Sequence, residues 1–275
     1  HFGRLLTQQL QALGIEVQTQ YQPEWGQPAE ADAVLVLRGR HPYSRDSDQR
    51  PHLMWMISHP DDAAEEELTQ FDHLFIASEP YARQLADGGL PASALLQCTE
   101  PDQFFPSDDD QPPRDVVFVG NTRDQRREIV FLAQQHGLRP RVWGRGWDRF
   151  SDAPPVVADY FDNENLGQLY GRSRLCLNDH WPDMKARGFV SNRIFDALAC
   201  GLPVLSDHCQ ALEELALPGV LTYTDSGSFA EAVEHYLFSY PSLRQQAAKG
   251  IERIRRDFSF AARARVLAEW LKENI

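Results

Sequence analysis

The sequence predicts an α/β fold: two Rossmann-like, doubly wound domains facing each other across a cleft. Short aliphatic runs alternate with helix-period segments along 275 residues, the pattern of parallel sheets covered on both faces. The alternation breaks at an Asp- and Pro-rich stretch, Asp102 to Pro113, and then restarts. This length accommodates two cores of ordinary size. The expected division is residues 1–113, residues 114–256, and a closing segment 257–275.

Phe2 to Leu13 repeats apolar residues at helical spacing and stops at Gly14, after which Ile15-Glu16-Val17-Gln18 begins an alternating strand. Ala33 to Leu37 and Leu53 to Ile57 are aliphatic runs expected as buried strands, the second ending at Ser58-His59-Pro60-Asp61. A charged helix is expected over Ala63 to Gln70, a strand over Leu74 to Ala77 and a helix over Pro80 to Asp87. Beyond the linker come strand Val116 to Val119, helix Gln125 to Gln135, strand Arg141 to Trp143, helix Asn165 to Arg172 and strand Leu175 to Leu177. The stretch GFVSNRIFDALACGLPVLSD, Gly188 to Asp207, combines a small-residue turn, a helix capped at Ser191 and Asn192, a Gly201–Pro203 stop and a buried strand, Pro203 to Leu205. Two further helices close the chain.

Forty acidic against 27 basic residues, a net charge of −13, argue against broad binding to nucleic acid or anionic membrane. No apolar run reaches membrane-spanning length. Cys98, Cys176, Cys200 and Cys209 lie far apart without metal-ligand spacing; Cys98, Cys176 and Cys200 sit in apolar runs, so reduced buried thiols and a cytoplasmic location are expected. The chain starts at His1 within a helical pattern, so the opening strand of the first domain is expected to be missing. Metal binding has no motif: there is no HExxH, and Asp108-Asp109-Asp110 is expected as a solvated linker run. Nucleophilic catalysis has neither a G-x-S-x-G nor a Cys–His pair.

Candidate sites lie at strand ends. The helix opening at Ser191 and Asn192 gathers backbone N–H groups and positive dipole, Arg193 adds a bidentate donor, and Asp196 follows one turn on. That arrangement suits a diphosphate and a ribose, although a buried helix packed on a sheet accounts for the same residues. Gly120-Asn121-Thr122-Arg123 directly follows a strand, and Arg123, Arg126, Arg127, Arg139, Arg141, Arg145 and Arg149 crowd nearby. Phosphate binding and a solvated face both fit that crowding. Gly144 and Gly146 form a G-x-G without the third glycine of a dinucleotide fingerprint. His59 ends one strand, and His180 with Trp181 follows another; each imidazole fits a proton carrier or a structural hydrogen bond. His41 and His52 have nothing to distinguish them.

With HLMWMISHPDD, FDHLFIASEPYARQL, RDVVFVGNTR and SNRIFDALACGLPVLSD in view, the chain resembles GT-B-fold glycosyltransferases, closest in pattern to the CgeB-like bacterial group of the glycogen-synthase-like class. The resemblance covers nearly the whole length, and it implies that residues 257–275 cross back to the first domain, with Trp270 and Leu271 packing there. It implies transfer of a sugar from a nucleoside diphosphate sugar to a glycan, lipid-linked or protein hydroxyl, as in bacterial cell-surface, spore or secondary glycan synthesis. Retention of configuration, no obligatory metal and no cofactor beyond the donor are implied as well. Gly120, Asn121, Arg123 and Arg126 would face the diphosphate with Ser191, Asn192 and Arg193, and Asp196 would hold the ribose. Tyr160 would meet the base, and His180 and Trp181 would border the sugar. Gly144, Gly188 and Phe189 complete the implied donor site, and His59, Arg193 and Arg123 are the implied catalytic set. One departure stands out: many relatives carry a Glu eight residues before the position of Asp196, where this chain has Gly188. A non-hydrolysing nucleotide-sugar epimerase and a non-catalytic nucleotide-sugar binding module remain alternatives.

Overall fold

A strand such as His52–Met56, HLMWM, can hide all five side chains only between two layers, and each of its residues is buried. The computed structural model describes residues 1–25, 27, 30–45, 49–107 and 115–275. Residues 108–110 and the expected boundary at 113 lie outside the described residues. In chain order the elements begin α1 (Phe2–Ala12), β1 (Val34–Arg38), β2 (His52–Met56), α2 (Glu65–Leu68), β3 (His73–Ile76), α3 (Glu79–Asp87) and β4 (Ala92–Ala94). They continue β5 (Asp115–Val119), α4 (Glu128–Gln135), β6 (Pro140–Trp143), β7 (Val156–Ala158), α5 (Leu166–Gly171), β8 (Ser173–Asn178) and α6 (Pro182–Ala186). The last are α7 (Asn192–Ala199), β9 (Val204–Asp207), α8 (Gln210–Leu215), β10 (Val220–Tyr223), α9 (Ser226–Asp257) and α10 (Phe260–Asn274).

The chain forms two compact units. The first gathers His1–Cys98, Trp181–Val190 and Phe258–Ile275; the second gathers Thr99–His180 and Ser191–Asp257. The first holds a parallel sheet in the order β1-β2-β3-β4. Alternation along β2 feeds two cores. Leu53 and Trp55 meet Leu5, Leu6 and Leu10 of α1 and Phe260, Ala264 and Leu267 of α10, with Trp270 and Leu271 packed at the margin. Met54 and Met56 face the other way, onto Leu74, Ile76, Met184 and Phe189.

The second unit holds six parallel strands in the order β10-β9-β8-β5-β6-β7. Its winding reverses between β5 and β8, and such switch points are where doubly wound sheets open a crevice for ligands. Val116, Phe118, Leu175, Leu177 and Leu205 pack there with Ile129, Val130 and Phe131 of α4 and with Phe229 and Val233 of α9.

Three sequence expectations change. Residues 15–18 form no strand; Ile15 N–H bonds the Leu10 carbonyl at 3.2 Å, closing α1, while Ile15 and Val17 pack on the core without a ladder. The charged helix shrinks to α2, in which Glu67 turns inward to the fully buried Arg38, its carboxylate oxygens 3.1 and 2.9 Å from the guanidinium. Phe104, placed in an exposed linker, is buried and its ring lies 6.1 Å from that of Tyr170, so residues 99–107 pack with the second unit. No helix among the described residues is long and apolar enough to cross a membrane.

Candidate donor site at the switch point of the second unit

The aliphatic run of β5 ends at Val119 and that of β8 at Asn178, side by side in the sheet. Arg193, in the first turn of α7, spans both ends: Nη1 donates to Asn178 Oδ1 at 2.8 Å and Nη2 to the Val119 carbonyl at 2.8 Å. Its guanidinium lies 4.9 Å from the Phe118 ring centre. Gly120 leaves this reach uncrowded, since a Cβ there would stand 3.1 Å from both Arg193 Nη2 and the Phe118 ring. Three guanidinium N–H groups beyond the two used here exist for other acceptors.

The next loop rests on this one. Gly144, at φ 140°, lies so close that a Cβ would come within 2.2 Å of the Gly120 carbonyl oxygen. Asn121 Oδ1 accepts from the Arg145 N–H at 2.8 Å, Thr122 N–H donates to the Arg145 carbonyl at 3.0 Å, and Trp147 Nε1 donates to the Gly120 carbonyl at 3.1 Å. The two glycines of the Gly144–Gly146 pair therefore serve loop-on-loop packing. Beside them Gly144, Arg145, Trp147, Phe150, Val156 and Asp159 help line a cavity of about 630 Å³, and the exposed Tyr160 follows β7.

Ser191 occupies the N-cap of α7, but its hydroxyl makes no capping bond. Its own N–H instead donates to His180 Nε2 at 3.3 Å, while His180 Nδ1 lies 2.7 Å from Asp207 Oδ1. An amide N–H can only donate, so Nε2 is the bare nitrogen and Nδ1 carries the proton given to Asp207. The His180 side chain is fully buried, with both ring nitrogens engaged in these contacts. Asp196, one turn into α7, is 6% exposed and bonded by Asn192 Nδ2 at 3.1 Å. Burial pushes its carboxyl up from 3.8 to about 7, against the lowering pull of Thr99, Arg193 and Asn192.

The expected arginines part company. Arg126 is bidentate to Asp152 at 2.9 and 2.7 Å, lies 3.0 Å from Glu128 and covers the Phe131 ring at 3.5 Å, so its fork is committed away from the β5 end. Arg123 sits exposed on a turn where it and Asp124 take successive left-handed conformations, φ 49° and 65°. Arg127, expected only as one of the crowded arginines, is buried instead: Nε donates to Asp179 Oδ2 at 2.7 Å, Nη2 to Asp179 Oδ1, and Nη1 to the Asn121 carbonyl at 3.3 Å. Asn178, Asp179 and Asp207 carry no motif. Their signal is position, since each stands at the carboxyl end of a central strand of the sheet.

Four further residues of the implied site belong to the first unit. Phe189 is wholly buried in its core, 6.0 Å from the Tyr81 ring, which removes it as a donor contact. Gly188 follows α6 at φ 72°, and Trp181 precedes it at the same core, its ring 6.3 Å from that of His59. His59 takes a left-handed conformation, φ 54°, just past β2, an uncommon backbone state for a side-chain-bearing residue. Among the described residues no group of three or more His, Cys, Asp or Glu is placed to hold a metal ion.

A doubly wound sheet with an arginine and a helix start at its switch point defines a class of nucleotide-type binding proteins. Residues 123–269, more than half of the chain, match the family described as Glycosyl transferase-like, and the chain belongs to that family. Solved glycosyltransferases share the fold. Anabaena HepE in complex with UDP-glucose superposes with a TM-score of 0.64 at 13% identity, over 82% of this chain and 73% of that one. Sucrose-phosphate synthase from Thermosynechococcus elongatus gives 0.63 at 16% identity, over 82% and 68%. A glycosyltransferase from Rickettsia africae gives 0.61 at 13% identity, over 99% and 80%. The fold is that of the GT-B glycosyltransferases. No curated protein sequence matches the chain.

Proposed function

We propose that the protein transfers a sugar from a nucleoside diphosphate sugar to a hydroxyl acceptor. The observation that carries this is Arg193, held across the ends of β5 and β8 at the mouth of α7. A departing diphosphate gathers negative charge in the transition state, and fixed guanidinium and amide donors at a helix start lower its energy without reorganising. Asp196, one turn on, is the acceptor for ribose hydroxyls, and the cavity lined in part by Gly144, Trp147 and Asp159 supplies room for a base. UDP and UDP-glucose in the HepE structures support this class of donor.

His59 is the proposed acceptor-side group, in keeping with its left-handed backbone at a strand end. Retention of configuration, independence of metal and membership of the CgeB-like group follow from the sequence resemblance. The four cysteines are buried thiols, which favours a reducing, cytoplasmic compartment. Bacterial glycans, lipid-linked or protein-attached, are the proposed acceptors.

A second reading, a non-catalytic nucleotide-sugar binding module, has one observation in its favour: Gly188 where many relatives place a carboxylate. The two separate in one experiment. A thermal-shift panel of nucleotides and nucleotide sugars selects the donor, because a ligand that binds only the folded state raises Tm. Hydrolysis of that donor without acceptor then marks an enzyme. A shift without turnover favours the binding module, an epimerised sugar would replace transfer by epimerisation, and no shift with any nucleotide sugar refutes the proposal.

A further inference from the structure

Six residues close a hydrogen-bonded ring around the start of α7. Arg193 Nη1 donates to Asn178 Oδ1 at 2.8 Å, and Asn178 Nδ2 donates to Ser206 Oγ at 2.9 Å. Ser206 Oγ donates to Asp207 Oδ1 at 3.3 Å, which also accepts from the His180 N–H at 3.1 Å and from His180 Nδ1 at 2.7 Å. His180 Nε2 then accepts from the Ser191 N–H at 3.3 Å, two residues from where the ring began. Every donor points toward Asp207 along both arms, so one arrangement of protons satisfies the whole ring. Asn178 and Ser206 are fully buried, and His180 and Asp207 are each 8% exposed.

We infer that Asp207 and His180 are positioning residues for donor binding, acting through the Ser191 amide and Arg193 on the first turn of α7. The inference rests on the proposed diphosphate site and adds how that site is held. A helix start with an uncapped hydroxyl and one orphan N–H is free to fray. Here a buried imidazole takes the Ser191 N–H, and the same carboxylate that fixes the imidazole also anchors, through Ser206 and Asn178, the guanidinium. The amides and the arginine that meet the diphosphate are thereby locked to β8 and β9, the strands beneath them. Truncating Asp207 leaves three buried donors without their acceptor: the His180 N–H, His180 Nδ1–H and the Ser206 hydroxyl. Asparagine restores a carbonyl oxygen at the same place.

The test titrates UDP, ADP, GDP and dTDP, each beside its own nucleoside, into wild type, Asp207→Ala, Asp207→Asn and His180→Phe. For the diphosphate that wild type binds, affinity falls about tenfold in Asp207→Ala and His180→Phe and stays within about threefold in Asp207→Asn. Affinity for the matching nucleoside, which lacks the phosphates, is unchanged. The double variant Asp207→Ala/His180→Phe loses no more than either single one, because both cut the same ring. Should Asp207→Ala fail to fold by circular dichroism, Ser206→Ala severs the other arm and shows a smaller loss confined to the diphosphate. Equal losses for nucleoside and diphosphate, or diphosphate affinity like wild type in a folded variant, overturn the positioning role alone. A wild type that binds none of the four diphosphates overturns the site and the positioning role together.

Discussion

Replacing Asp196 with asparagine should stabilise the protein at neutral and alkaline pH while weakening its hold on a ribose. The carboxyl is 6% exposed, and burial lifts its pKa from 3.8 to about 7. Between those values the folded chain keeps a proton that the unfolded chain has released. Stability therefore falls as pH rises through that window, and the loss is complete above about 7. About three pH units at about 1.4 kcal/mol each set a ceiling of ~4 kcal/mol. The asparagine carries no such charge and can still accept from Asn192. Urea unfolding of both proteins from pH 4 to pH 8 measures the difference, which should be near zero at pH 4 and reach about 2–4 kcal/mol in favour of the variant at pH 8. Because other carboxylates titrate alike in both proteins, only the difference counts. Parallel stability curves across the range would refute the reasoning by showing that Asp196 ionises as readily as an exposed carboxyl.

Three other outcomes follow from the geometry. Gly144→Ala puts a Cβ within 2.2 Å of the Gly120 carbonyl in a left-handed-side conformation, so it should cost about 2 kcal/mol or more in unfolding experiments and lower nucleotide affinity by parting the two loops. Arg127→Ala strands Asp179, whose side chain is 12% exposed, and should destabilise by about 3 kcal/mol, whereas Arg126→Ala removes a partly exposed pair and should change stability by less than about 1 kcal/mol with nucleotide affinity intact. His59→Gln should slow transfer and leave nucleotide affinity unchanged; an unaltered rate assigns His59 to structure.

The parts of the fold legible in the sequence were those written as continuous aliphatic runs. Val116 to Val119, Leu53 to Ile57 and the helix after Ser191 stand out because strands buried on both faces leave no polar positions to blur them. Short edge pieces escaped: β4 is Ala-Ser-Ala and β7 is Val-Val-Ala, and neither carries a run long enough to announce itself. Ile15 and Val17 show the opposite error, since alternation signals an amphipathic surface but supplies no neighbouring strand to pair with. At the site, Arg193 and Gly120 were legible because a helix start and a strand end each have a local signature. The choice between Arg126 and Arg127 was not, since which of two adjacent arginines turns inward depends on Asp152 and Asp179, far off in sequence. The roles of Asp207 and His180 were hidden for the same reason, because 27 residues separate two groups that touch.

A crystal structure of the protein with bound nucleoside diphosphate decides whether the start of α7 holds the phosphates. Phosphate oxygens should lie within hydrogen-bonding distance of the backbone amides of Asn192 and Arg193 and of the Arg193 guanidinium, with the ribose hydroxyls on Asp196. A diphosphate bound elsewhere on the second unit, with the opening turn of α7 untouched, would contradict this placement.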